Sequence, residues 1–262
     1  MARSLAGGLL NNGWQKQNLV FADPDENQRQ AAKDALGLAA YEDNEKLAAH
    51  ADVLVLAVKP QALRNVLAGI ADTVRKKKPL VVSVAAGIRV GDIQRWLGGG
   101  TAIVRVMPNT PALIGSGATG LYANAEVTPA QRDEAESILR AVGVTVWLEN
   151  EALMDVVTAV SGSGPAYFFL VIEALERAAI AHGLDKTTAR LLSMETAYGA
   201  AKMALEGGAE PAELRRRVTS PGGTTERAIQ VLEQGQLRQL FDTAVAAAIA
   251  RSRELAEMLG KE

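Results

Sequence analysis

The sequence predicts an α/β Rossmann-type doubly wound sheet followed by an all-α dimerisation domain. Three observations carry that prediction. Short apolar runs alternate with helical stretches over residues 19–148. One of them, Val53-Leu54-Val55-Leu56-Ala57-Val58, is continuously apolar, as strands covered on both faces are. From Glu151 onward the β-branched alternation stops and alanine-rich amphipathic runs replace it.

The elements follow in order. Leu19-Val20-Phe21-Ala22 reads as a short buried strand ending at Asp23. Residues 26–36 read as a helix stopped by Gly37, a natural C-cap. A strand at 38–41 and a helix at 44–49 lead to the apolar run at 53–58, which Lys59-Pro60 ends. A helix over 61–70 precedes a strand at 80–84, and a helix over 90–97 precedes a strand at 102–107. A strand at 119–122, a helix at 129–142 and a strand at 145–148 complete a βαβ alternation, which implies parallel strands. The helical half divides at Gly183, Gly207-Gly208 and Gly235 into runs at 165–182, 186–206, 211–217, 225–234 and 237–260. The expected domains are therefore 1–150 and 151–262. The alanine-rich stretches 197–204 and 244–250 permit close helix approach, which suits a homodimer and equally suits packing within one chain.

A dinucleotide-binding sheet opens with a strand and then G-x-G-x-x-G. Here Met1 to Leu10 reads instead as the helix after such a loop, and 19–22 as the second strand. The first domain is thus expected to be truncated at its N-terminus, lacking strand one and the glycine loop. In the order 3-2-1-4-5-6 that strand is central. The expectation is a natural start about ten residues upstream, enough for a strand and its turn.

Composition narrows the function classes. Of 262 residues, 48% are hydrophobic and 22% charged, which is ordinary for a globular protein. A net charge of −2 gives no electrostatic case for nucleic acid. There are no cysteines, so disulfides and thiolate chemistry are excluded. With His50 and His182 the only histidines, no metal site is expected. No uninterrupted apolar run approaches the roughly 18 residues of a membrane span, and no signal peptide is read at the N-terminus. No membrane partner and a cytoplasmic location follow as expectations.

Four motifs carry chemistry. In Ser220-Pro221-Gly222-Gly223-Thr224-Thr225-Glu226, two glycines free the backbone just before a helical run. Several N–H groups then face one concavity at a helix N-terminus, a site for a small carboxylate, with hydroxyls beside it for a second polar atom. Ala57-Val58-Lys59-Pro60 lies at the C-terminal edge of a strand, where ligands bind in open α/β sheets. Lys59 there serves a cofactor phosphate or ribose, or is a solvated lysine. In Met107-Pro108-Asn109-Thr110-Pro111, Asn109 presents an amide to a nicotinamide or substrate, or the segment is a structural turn. Ser161-Gly162-Ser163-Gly164-Pro165-Ala166-Tyr167 reads as a helix start, with Pro165 in the first helical position and Ser163 or Gly164 as cap. His182 reads as a helix-end cap, His50 as a surface or packing residue, and Arg215-Arg216-Arg217 as a solvated face.

Together, in order and spacing, these four motifs resemble the pyrroline-5-carboxylate reductase family across essentially the whole chain. The resemblance implies an N-terminal Rossmann domain and a helical domain that forms an interlocked homodimer, often assembled into larger rings. It implies an oxidoreductase of proline biosynthesis that moves a hydride from NADP(H) or NAD(H) to the imine carbon of 1-pyrroline-5-carboxylate (C5 of the product), giving L-proline. It places the substrate carboxylate on the Ser220–Thr225 loop, with Ser220 and the N–H groups of Gly223 and Thr224 as donors and Gly222 shaping the turn. The Thr225 hydroxyl faces the ring nitrogen as the catalytic group. Asp23, Asn44, Ala57, Val58, Lys59, Pro60 and Asn109 are the implied cofactor residues. Asp23 favours the ribose diol of NAD, whereas the family commonly accepts NADPH, so the choice stays open.

Two rivals remain. β-Hydroxyacid dehydrogenases need a lysine on the long helix after the interdomain glycine motif, but none occurs between Lys78 and Lys186. A non-catalytic, reductase-like dimerising or ligand-sensing module would have no use for an intact substrate loop.

Overall fold

The strands of the first half form two sheets, not one. The computed structural model describes residues 1–261. Helix α1 (Ala2–Asn11) precedes β1 (Val20–Ala22), α2 (Glu26–Leu36) and β2 (Ala39–Tyr41). β1 and β2 are parallel and form a two-stranded sheet by themselves. Then come α3 (Asn44–His50), β3 (Val53–Leu56), α4 (Pro60–Lys77), β4 (Leu80–Ser83), α5 (Val90–Leu97) and β5 (Ile103–Met107). β6 (Gly117–Ala123), α6 (Pro129–Arg140) and β7 (Gly143–Trp147) complete a second sheet in the order β3-β4-β5-β6-β7.

Local chemistry accounts for most boundaries. Gly37 ends α2 in the left-handed region at φ 65°, as its sequence position predicts. The Asp25 carboxylate caps the start of α2 by accepting from the Asn27 N–H at 2.8 Å. α4 runs past residue 70 to Lys77, because Leu63, Leu67, Ile70, Ala71 and Val74 keep one face buried. On β3, Leu54 and Leu56 face a core built from α4 and α5, while Val53 and Val55 pack towards Leu5 and Leu9 of α1 and Ile138 of α6. The sheet is thus covered on both faces, which is why its strands read as apolar runs.

One expectation of the parallel reading fails locally. β6 pairs antiparallel with β5, with Arg105 opposite Tyr122. The chain between them holds only a 3₁₀ turn, Thr110–Ile114, and a parallel return needs a longer crossover than that. β7 returns parallel to β6 after α6.

The chain divides into two units, Met1–Ser163 with the stretch from Ala247, and Gly164–Ala246. The first unit therefore reaches past residue 150 and reclaims the C-terminal stretch. Within it, α7 (Leu153–Val157) leads into a π turn, Thr158–Gly162. The end of α12 (Leu237–Lys261) is fixed there by Ser252, whose hydroxyl donates to the buried Asp155 carboxylate at 2.7 Å, and by Arg95, which donates to the Gly260 carbonyl at 2.6 Å. The second unit holds α8 (Gly164–Ala181), α9 (Lys186–Glu206), α10 (Pro211–Arg217), α11 (Thr224–Gln234) and the first part of α12. Asp185 caps α9 by accepting from the amides of Thr187 and Thr188, both at 3.0 Å. The continuous helical stretch Leu153–Ala181 is long and apolar enough to cross a membrane, at a mean hydropathy of 1.4. Its α8 portion leaves Phe168, Phe169 and Leu170 each at least 65% exposed in the single chain.

Candidate functional site

The substrate loop is built by a left-handed glycine and an uncapped helix start. Gly222 has φ 71°, which turns the chain so that Gly223 becomes the N-cap of α11. No side chain caps that end. The amides of Thr224 and Thr225 are among the first four of the helix, which have no partner within it. They make no bond to any described group. Ser220 is exposed and Thr225 half-buried.

One donor expected to face a ligand, the Gly223 N–H, is already engaged, and so is the neighbouring Gly222 N–H. The Gly223 N–H donates to the Ser220 carbonyl at 3.0 Å, closing the turn. The Gly222 N–H donates to Oε2 of Glu226 at 2.8 Å. Glu226 was not among the expected site residues. Its spacing, three positions after the N-cap, is the acidic half of a capping box, so the signal was present in the sequence. The loop thus offers the Thr224 and Thr225 amides and the Ser220 and Thr225 hydroxyls, held in place by bonds internal to it. At the other end of α11, Arg238 donates three hydrogen bonds to Glu233 and holds its carboxyl below the usual range, with Arg215 adding a further positive charge.

In the first unit, four of the seven expected cofactor residues share one cleft of about 690 Å³. Asn44 lines it as the first residue of α3, and Asp23, Ala57 and Val58 line it at the C-terminal ends of β1 and β3. That is where open α/β sheets bind ligands. Asp23 is half-buried and one of its carboxylate oxygens accepts the Asp25 N–H at 2.9 Å. Arg29 donates to the Asp23 carbonyl at 2.8 Å, bringing a cation to the end of β1 that sequence distance had separated from it. Lys59 and Pro60 do not line the cleft. Pro60 is the first residue of α4 and the exposed Lys59 is its N-cap.

Asn109 has a different set of partners from those expected. Its amide nitrogen lies 3.2 Å from the Ser161 carbonyl and 3.3 Å from the Ser161 hydroxyl, and its oxygen accepts the Ala118 N–H at 3.0 Å. The Ser161 hydroxyl in turn donates to the Ala118 carbonyl at 3.1 Å. Asn109 therefore ties β6 to the π turn. α8 starts at Gly164, within a residue of the expected start, but Ser163 ahead of it keeps a helical backbone and its N–H bonds back to the Thr158 carbonyl at 2.8 Å, so the π turn runs on into α8. π turns of this kind are frequent at functional sites.

Comparison with known proteins gives a consistent picture. The family model for pyrroline-5-carboxylate reductase dimerisation matches residues 151–255. The model for NADP oxidoreductase, coenzyme F420-dependent, matches residues 1–87. A pyrroline-5-carboxylate reductase of Pseudomonas aeruginosa is 49% identical over 261 residues, covering 100% of this chain and 95% of that protein. The structure of a pyrroline-5-carboxylate reductase from Coxiella burnetii superposes with a TM-score of 0.94 at 46% identity, covering 97% of this chain and 94% of that one. A Plasmodium falciparum pyrroline carboxylate reductase solved with NADP bound superposes with a TM-score of 0.85 at 31% identity, over 97% of this chain and 93% of that one.

Proposed function

The chain belongs to the pyrroline-5-carboxylate reductase family, and on that premise we propose how its residues divide the work. The reaction is the reduction of 1-pyrroline-5-carboxylate to L-proline, the last step of proline biosynthesis, with a nicotinamide cofactor as hydride donor. The observation that carries the residue assignment is the uncapped start of α11, where the Thr224 and Thr225 amides make no bond to a described group and the Ser220 and Thr225 hydroxyls belong to the same loop.

The Ser220 hydroxyl and the Thr224 amide hold the substrate carboxylate, with Gly222 and Gly223 fixing the turn. A carboxylate bound by such donors receives charge-assisted bonds and the favourable end of the helix dipole. The Thr225 hydroxyl faces the ring nitrogen. The imine is protonated before reduction, so the imine carbon is already electrophilic. Hydride adds to that carbon, which becomes C5 of proline, the C=N π pair moves to nitrogen, and the nitrogen keeps its proton in the product amine. Little acid strength is needed, and orientation supplies much of the acceleration.

The cleft residues fit the ribose side of the cofactor. Asp23 and Asn44 offer polar groups at the strand ends, and Ala57 and Val58 offer a flat apolar wall. When bound, the cofactor supplies the hydride. Lys59 is assigned to its phosphate or ribose side, Pro60 to shaping the loop, and Asn109 to holding the π turn.

The chain forms a homodimer through its helical region. The exposed aromatic and leucine side chains of α8 supply apolar area for that contact. The same reading takes in a ring of dimers, which sedimentation velocity reads directly, and a cytoplasmic location.

The test is reduced-nicotinamide oxidation that depends on 1-pyrroline-5-carboxylate. Thr225→Ala is expected to lower kcat roughly tenfold or more while the dimer stays intact. An unchanged kcat removes Thr225 from the mechanism.

A further inference from the structure

We propose that Asp155, held by Ser252 near the end of α12, is a positioning residue for the reduction: it sets the π turn and, through it, the Asn109 loop at the end of β5. The proposal rests on the function given above and deepens it.

Three observations carry it. First, Asp155 is a buried carboxylate outside both the substrate loop and the cofactor cleft. Asp155 and Ser252 are each only 7% exposed. The Asp155 Oδ1 accepts the Ser252 hydroxyl at 2.7 Å, across 97 positions of sequence, and its Oδ2 faces Nε of Arg253 at 3.7 Å. A buried charge is a costly way to fill space, and an apolar side chain of similar size does so at less cost. What the carboxylate adds is direction. A charge-assisted bond fixes one distance and one angle, whereas apolar contacts let a helix slide.

Second, the donor is itself anchored. Ala256 is buried, and Leu259 packs against the core built from β3, α4 and α5. Arg95, which pairs with Asp92 at 2.9 Å, also holds the Gly260 carbonyl. Ser252 is therefore presented by a helix end that the first unit already grips.

Third, contacts run without a break from Asp155 to the Asn109 loop. α7 has five residues, too few to hold a helix alone, so its place is set by what grips it. Thr158 follows it, and its hydroxyl donates to the Met154 carbonyl at 2.8 Å. The Thr158 carbonyl accepts the Ser163 N–H, which closes the π turn. That turn carries Ser161 to Asn109 and Ala118. Gly162 comes so close to the end of β5 that a Cβ there would lie 2.6 Å from the Met107 methyl. A shift of α7 therefore moves Met107 and Asn109, at the C-terminal end of β5. Open α/β sheets bind their ligands at that edge. A misplacement of about 1 Å near the reacting groups costs up to about a hundredfold in rate.

Hydrogen exchange and kinetics test this together. Without substrate or cofactor, Ser252→Ala is expected to speed exchange about tenfold or more at the Ala118 and Ser163 amides. The Val81 amide, bonded to the Ala102 carbonyl within the sheet, is expected to stay unchanged. Kinetics are read well below each variant's Tm. Ser252→Ala and Asp155→Ala are expected to lower kcat about tenfold, with KM for substrate and cofactor within about twofold. Asp155→Asn keeps the shape and the acceptor, and is expected to recover most of that loss. In an Asn109→Ala background, Ser252→Ala is expected to lower kcat no further, because both act through the π turn. Should Ser252→Ala not fold, Ser252→Cys, a weaker donor of similar size, takes its place with the same expected directions. Unchanged exchange at Ala118 and Ser163, or equal acceleration at Val81, overturns the proposal. So do an unchanged kcat, a loss carried by KM, losses that add to that of Asn109→Ala, or an Asp155→Asn as slow as Asp155→Ala. A wild-type chain without turnover of 1-pyrroline-5-carboxylate overturns the reading beneath it. Exchange needs no ligand and still reads the latch, so the two failures are told apart.

Discussion

Replacing Glu151 by alanine tests how the first unit is held together around the base of α7. Arg105 lies on β5 and its side chain is only 6% exposed, while that of Glu151 is 23% exposed. The two pair at 2.9 Å, and the same Glu151 oxygen accepts the Val90 N–H at 2.8 Å. Val90 is the first residue of α5, whose N-cap, Arg89, supplies no side-chain bond. One carboxylate therefore neutralises a buried guanidinium and caps a distant helix. Removing one member of a buried pair costs about 3–5 kcal/mol, because the other charge is left without a partner. Partial exposure of Glu151 lets water reach the guanidinium, so the lower end, about 3 kcal/mol, is expected. For a chain of this size that corresponds to a Tm lower by roughly 6–12 °C. The contrast is Arg105→Met, which replaces the buried charge with an apolar chain of similar length and is expected to cost less than about 1.5 kcal/mol. Circular-dichroism melts of both variants decide it. A Glu151→Ala loss below about 1 kcal/mol, or equal losses in the two variants, refutes the account of an uncompensated buried charge.

Asn109→Ala separates positioning from direct cofactor contact. With its bonds to Ser161 and Ala118 gone, it is expected to lose about 1–3 kcal/mol of stability together with activity, read by melts beside kcat and KM. Lost activity at an unchanged Tm would return Asn109 to the nicotinamide. Asp23→Ser removes the carboxylate that disfavours a 2′-phosphate and leaves Arg29 at the end of β1. The ratio of kcat/KM for NADPH over NADH is expected to rise about tenfold or more. An unchanged ratio removes Asp23 from cofactor choice.

What was legible in the sequence was local. Gly37 and Pro211 mark helix ends through their own backbone chemistry, and those ends, with the start of α9 at Lys186, stand where a single-sequence reading puts them. The apolar alternation of 53–58 announced a strand covered on both faces, and β3 is one. The antiparallel β6 was hidden because direction depends on what the connection can span, and residues 108–116 look like any loop. The π turn was hidden for the opposite reason. Ser161-Gly162-Ser163-Gly164-Pro165 has the composition of a helix start, yet Thr158 supplies an acceptor five residues before Ser163, so the backbone never leaves the helical region.

The binding loop shows the same division between near and distant information. Its glycines, serine and threonines mark an anion nest in the sequence, because each acts through its own backbone or hydroxyl. Which donors remain available depends on Glu226 and on the Ser220 carbonyl, which occupy two of them. Those internal bonds fix the loop before a ligand arrives, so binding need not order it, and less of the binding energy is lost to immobilisation. The Rossmann half inverts this relation. Its cleft residues stand on separate elements: Asp23 follows β1, Asn44 opens α3, and Ala57 and Val58 follow β3. Ligand affinity in that half therefore depends on how those elements pack, which no single motif in the sequence specifies.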